Sequence, residues 1–108
     1  MIFCSIEDFY EKAEACRRLT RMEEISFTQK LKAGDTVARE RLIESYIPMV
    51  VSHIKRMKQE QQTVGLALYC MQALEKAVGS FDFLQESETF THRLSWWLRQ
   101  ATVDYIVR

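Results

Sequence analysis

Arg93, Trp96, Gln100 and Val103 recur at steps of three or four residues near the end of the sequence. On a helix that spacing lines them along one face. A guanidinium and an indole both present flat surfaces that stack on unpaired nucleobases, worth about 1–3 kcal/mol per base for an aromatic platform. An amide such as that of Gln100 can read base edges. Phe81 and Phe83, a little upstream, offer two more rings. Surfaces of this kind suit a melted strand, because opening duplex forfeits about 1.4 kcal/mol of stacking per step on average. Trp96 and Trp97 are adjacent, so they lie about 100° apart around a helix and are hard to bury together. Trp96 is therefore expected at the surface. Trp97 and Phe81 also suit the core, where large aromatics commonly anchor a small protein.

The other reactive side chains point to no catalysis. His53 sits among Val51, Ile54 and Lys55, and His92 sits beside Arg93. Neither has a cysteine or a second histidine at metal-ligand spacing. Cys4, Cys16 and Cys70 are odd in number and widely spaced, without a C-x-x-C pair, which reads as reduced thiols. No nucleophile–base order, phosphate-binding glycine loop or carboxylate dyad stands out. The expectation is a protein that is not an enzyme and uses neither cofactor nor metal.

The elements that must position the stripe are helical. At 108 residues the chain reads as one domain over 1–108, with room for a single core. One proline and three glycines are too few for the turns of a β-rich chain. No apolar run approaches the roughly 20 residues of a membrane helix, and the N-terminus lacks a secretory pattern, so a cytoplasmic location is expected. Ser5 and Asp8 mark a first helix over 6–18. Thr20 and Glu23 form a capping box for a second, which runs to about residue 33 and stops at Gly34. Asp35 caps a third carrying Ala38, Leu42, Ile43 and Tyr46, and Pro48 suits the first turn of a fourth. The fourth has Val50, Val51, Ile54 and Met57 as its apolar stripe, with Lys55, Arg56 and Lys58 toward water. A fifth spans 64–78 and ends at Gly79, a loop covers 80–89, and a last helix begins at about residue 90. On that helix Phe90, Leu94, Trp97, Ala101 and Tyr105 form the face expected in the core. The fold class is all-α, a compact bundle of five or six helices.

Four ordered segments carry a resemblance. "LTRMEEISFTQKLKAGD" is similar to the end of region 1.2 of bacterial sigma-70-family factors, and "ARERLIESYIPMVVSHIKRM" resembles the start of region 2. "LEKAVGSFDF" and "FTHRLSWWLRQA" resemble the later part of region 2, with its aromatic loop and W-W-I-R-Q-A helix. The match covers nearly everything after residue 19 and leaves the first helix, in 1–19, outside it. The resemblance implies two roles. The helix before the aromatic loop binds the clamp helices of the largest subunit of core RNA polymerase. The loop and final helix open the minus-ten promoter element and hold its non-template strand. Carried onto this chain, the promoter-DNA residues are Phe81, Phe83, Arg93, Trp96, Trp97, Gln100 and Val103, and the polymerase residues are Leu68, Tyr69, Gln72 and Glu75. An anti-sigma factor or another protein is a further partner of this kind of module; a membrane is not.

Several positions depart from the family pattern. Arg93 replaces the tyrosine of F-S-T-Y that captures a flipped base. Val103 and Asp104 stand where many members have Thr and Arg, and a carboxylate there repels phosphates. Glu86 and Glu88 replace cations in the loop. The clamp-binding D-L-I-Q-E-G becomes "GLALYC", with Gly65, Leu68 and Tyr69 at its three polar positions. A helix so apolar all round is either packed by several neighbours or carries an exposed apolar patch for a partner. The 15 basic and 15 acidic residues cancel, so DNA contact requires a local patch or a larger partner. A sigma-like initiation module is therefore one reading. A sigma scaffold repurposed for protein binding without promoter melting is the second, and an unrelated all-α adaptor is the third.

Overall fold

Each of the first four helices starts where a short polar side chain takes up a backbone N–H that would otherwise lack a partner. The computed structural model describes residues 2–81 and 89–107. Ser5 caps α1 (Ile6–Glu14) by accepting from the Asp8 N–H, and Thr20 caps α2 (Arg21–Lys32) through the full reciprocal box with Glu23. Asp35 caps α3 (Thr36–Lys55), and Thr63 caps α4 (Val64–Ser80). The last helix, α5, runs Phe90–Val107. Gly34 ends α2 at φ +88°, in the left-handed region that a side chain disfavours, and the following Asp35 N–H donates to the Lys30 carbonyl at 3.0 Å. Among the described residues there is no strand, and no helix is long and apolar enough to cross a membrane.

Three boundaries differ from the sequence reading. The first helix stops at Glu14 instead of continuing to 18. Thr20 must be extended to cap α2, at ψ 165°, and the chain unwinds ahead of it. The third and fourth expected helices are one, with Pro48 inside α3. An interior proline removes a hydrogen bond and crowds the preceding turn, at about 3 kcal/mol. Tyr46, Ile47, Val50 and Ile54 are nonetheless buried on both sides of it, and each such side chain contributes about 1.5–3 kcal/mol. Burial wins, and the helix continues. Likewise α4 passes through Gly79 to Ser80, where the Phe81 N–H closes it on the Ala77 carbonyl.

The centre of the structure is α4. It packs against α1, α3 and α5, and it buries Leu66, Ala67, Cys70, Ala73, Leu74, Ala77 and Val78. Around it stand Phe9 from α1, Leu42, Ile47 and Ile54 from α3, and Leu94 and Leu98 from α5. α2 lies on α3, held in part by the Tyr46 hydroxyl donating to the Glu24 carboxylate at 2.8 Å. A 3-10 turn, Gln59–Gln61, joins α3 to α4. The Tyr10 hydroxyl donates to the Gln62 side chain at 2.7 Å and ties α1 to that junction.

Candidate functional site

α5 has an inner and an outer face, and the split follows its sequence. Phe90, Leu94, Leu98 and Ala101 are buried. Leu98, four residues after Leu94, joins the face expected from Phe90, Leu94 and Ala101, while Trp97 and Tyr105 of that stripe are only half-buried. Outside stand Trp96, 50% exposed, with Gln100 and Val103 also exposed. Arg93 is half-buried at the edge of this surface, its guanidinium 5.7 Å from the centre of the Phe81 ring.

The two indoles meet edge to face, 5.5 Å apart at 88°. They are shared by two open hollows. One, of about 470 Å³, lies between them and His92 and Arg93; the other, of about 300 Å³, runs toward Gln100 and α4, where Tyr69, Gln72 and Lys76 line it. Arg93, Trp96, Trp97 and Gln100 thus come together around one indole pair. Among the described residues, the buried Trp97 Nε1–H has no hydrogen-bond partner. Such an unused donor costs about 1–3 kcal/mol and is a natural point for a ligand acceptor.

Phe81 does not join them at the surface. It is buried, edge-on to Phe90 at 5.2 Å, and it supports Arg93 from beneath. Its reading as a core anchor fits this position, whereas a stacking platform needs an exposed ring. Phe83, Glu86 and Glu88 lie outside the described residues.

On α4, packing by several neighbours accounts for the apolar sequence. The helix is the one packed by several neighbours, yet Leu68 remains 49% exposed. Gln72 and Glu75 are exposed near it, and Tyr69 is half-buried, edge-on to Tyr105 at 5.2 Å. A Cβ at Gly65 would lie 2.7 Å from the Tyr105 hydroxyl, which is itself 2.9 Å from the Thr63 hydroxyl. No side chain fits at position 65 while Tyr105 stays there. Spacing alone missed this pairing; the available signal was a glycine inside a helix, which marks close approach.

His53 is half-buried, and its ring nitrogen meets the Thr102 hydroxyl at 2.9 Å, an ordinary polar position as expected. Burial, with the Arg56 and Arg99 guanidiniums nearby, pushes its pKa below the usual histidine value. The three cysteines are free thiols. Among the described residues no group of three His, Cys, Asp or Glu side chains could hold a metal ion.

Against known proteins the chain is 37% identical over 84 residues to the RNA polymerase sigma factor SigA of Listeria monocytogenes, a match covering 77% of this chain and 22% of that protein. SigA of Listeria innocua gives the same values, and SigA of Clostridium acetobutylicum is 34% identical over 90 residues with the same coverage. The chain carries a sigma-70-family region. It spans about a fifth of the length of these curated relatives. No protein-family model matches it. The departures found in the sequence now have positions. Arg93 stands beside the indole pair, Asp104 lines the smaller hollow, and Gly65 accommodates Tyr105.

Proposed function

We propose that this region acts in bacterial transcription initiation, docking on core RNA polymerase through α4 and holding the non-template strand of the minus-ten element on the outer face of α5. The observation that carries this reading is the shared, accessible surface of Arg93, Trp96 and Gln100 around the edge-to-face indoles. Trp96 supplies a stacking face, Arg93 a second flat cation and Gln100 an amide for a base edge. Phe81 acts indirectly, by seating Arg93. Val103 extends the apolar part of the same face. On α4, Leu68 and Tyr69 form the apolar centre of the polymerase contact, with Gln72 and Glu75 at its polar rim. The clamp helices of the largest polymerase subunit are the counterpart surface, the cytoplasm is the place of action, and an anti-sigma factor would compete for the same helix. The role is non-catalytic and needs no cofactor.

A specific observation favours the second reading, a sigma-like scaffold that binds a protein without melting promoters. Gly65 and Tyr105 together replace a charged clamp contact with an aromatic hydroxyl tied to Thr63. Pull-down of core RNA polymerase separates the two. Leu68→Asp is the informative variant, since Leu68 is exposed, whereas Tyr69 also holds Tyr105. We expect capture by the native chain and at least tenfold less by a folded Leu68→Asp protein. In the captured complex, Trp96→Ala should weaken binding of a minus-ten single strand by about tenfold, as loss of 1–3 kcal/mol of stacking requires. A folded native chain that captures no polymerase would move the second reading ahead.

A further inference from the structure

α4 and α5 pack antiparallel. Gly65 at the start of one lies against Tyr105 near the end of the other, and Phe81 meets Phe90 at the opposite ends. Along the outer side of each helix runs a triad at steps of four: Leu68, Gln72 and Lys76 on α4, and Trp96, Gln100 and Asp104 on α5. All of these side chains are exposed. Every one but Leu68 lines the hollow of about 300 Å³ between the two helices, and Leu68 stands one turn before Gln72.

Each triad reads apolar, amide, charge, and the two charges are opposite. Counted from the contact of Gly65 with Tyr105, Asp104 stands beside Leu68 at one end of the hollow and Lys76 beside Trp96 at the other. The ends of a triad are about 12 Å apart and packed helices about 8–10 Å, so these four residues mark the corners of a nearly equal-sided figure. Lys76 and Asp104 occupy opposite corners, roughly 17 Å apart, beyond the reach of a pair within one chain. Neither joins an ion pair among the described residues. Leu68 and Trp96 hold the other two corners, 49% and 50% exposed.

We propose that this face pairs with the same face of a second copy of the chain, about a two-fold axis along the Leu68–Trp96 diagonal. Rotation about that line sets Leu68 on Leu68 and Trp96 on Trp96, and it brings Lys76 of each chain to Asp104 of the other. A partner of one charge sign answers only one of the two charged corners; a second copy answers both. Gln72 and Gln100 lie between the corners, and a carboxamide both donates and accepts, so amides of the two copies suit one another. They also bring acceptors to the wall of the hollow where the buried Trp97 Nε1–H lacks one among the described residues. The zero net charge adds no overall repulsion between copies. A dimer of this form buries Leu68 and Trp96, so it excludes polymerase docking and strand holding together. That consequence, unlike the contact itself, rests on the function proposed above.

Sedimentation equilibrium of the full chain, with neither polymerase nor nucleic acid present, tests the contact. A face this small suits a weak, reversible dimer, so the protein is taken to about 1 mM. We expect the dimer to grow with concentration. Lys76→Glu or Asp104→Lys alone sets like charges together at both contacts and should weaken association at least about tenfold. Mixed in equal amounts, the two variants regain opposite charges at both contacts, and their heterodimer should return to within about threefold of the native affinity. Circular dichroism checks that each variant is folded. A native chain that stays monomeric overturns the proposal, as does a mixture that associates no better than its components or a dimer indifferent to both reversals. A minus-ten single strand added to the native dimer should convert it to a complex of one chain with one strand, and a strand bound to the intact dimer overturns the masking. A strand that binds neither form counts against the strand-holding reading, while the dimer still stands or falls on the charge reversals.

Discussion

Gly65 shows how one residue can be read only through its neighbour. It has no positive φ to require glycine, and alanine is about 1 kcal/mol better within a helix. What forbids a side chain is the Tyr105 ring, with its hydroxyl and Cε1 2.7 and 2.8 Å from the missing Cβ and its position fixed by Thr63. Overpacking of this kind costs about 1–3 kcal/mol. Gly65→Ala should therefore be neutral or destabilising in the native chain but stabilising, by up to about 1 kcal/mol, in a Tyr105→Ser background. Chemical denaturation of the four proteins of that cycle checks it; the same sign in both backgrounds would show that Tyr105 is not the constraint. Trp96 is the opposite case. Its exposure was legible from adjacency to Trp97, because two indoles 100° apart cannot share one inward face. Phe81 was legible only as a choice between core and surface, and its contact with Phe90 settles that choice.

Among the helices, termini marked by caps were legible and interruptions were not. Ser5, Thr20, Gly34 and Asp35 act locally, through hydrogen bonds or a φ that the residue itself provides, so their positions agree with the chain's own signals. Pro48 and Gly79 are helix breakers by propensity, yet both lie inside helices because buried residues flank them. α3 thus stands against a local preference, with no N–H at Pro48 to meet the Glu44 carbonyl. Pro48→Ala should stabilise the protein by about 1–2 kcal/mol, the helix gain of roughly 3 being reduced by the freer unfolded chain. Thermal or urea unfolding would show it, and a lower midpoint would mean that packing of the half-buried proline ring outweighs the missing bond.

For the whole molecule the governing fact is that α4 sits among its neighbours. This explains its apolar sequence, places Cys70 at full burial and leaves α3 and α5 to frame an open groove. Burial pushes the Cys70 thiol up to about 11, so little thiolate exists near neutral pH. Alkylation at pH 7.5 should label the exposed Cys4 quickly and Cys70 only as fast as the bundle unfolds. Peptide-resolved labelling across a urea series tests this: Cys70 reactivity should rise with the cooperative transition, and early labelling would reveal local opening at α4. The groove between α3 and α5, lined by His53, Arg56, Ser95 and Arg99, was not legible in the sequence. Arg56 read with Lys55 and Lys58 as a cation turned to water, His53 as an ordinary polar position, and Arg99 as part of a motif some forty residues further on.

The sequence by itself determined the helical class, most caps, the two faces of the last helix and the sigma-like order of segments. Periodicity, capping and adjacency are properties of neighbouring residues. Only the tertiary structure decided that Pro48 would be overridden, that Phe81 would turn inward and that Tyr105 would occupy the space above Gly65. It alone brought Arg56 and Arg99 to one groove. Each of those outcomes depends on which distant surfaces compete for the same buried volume, and that competition is resolved only when the helices pack.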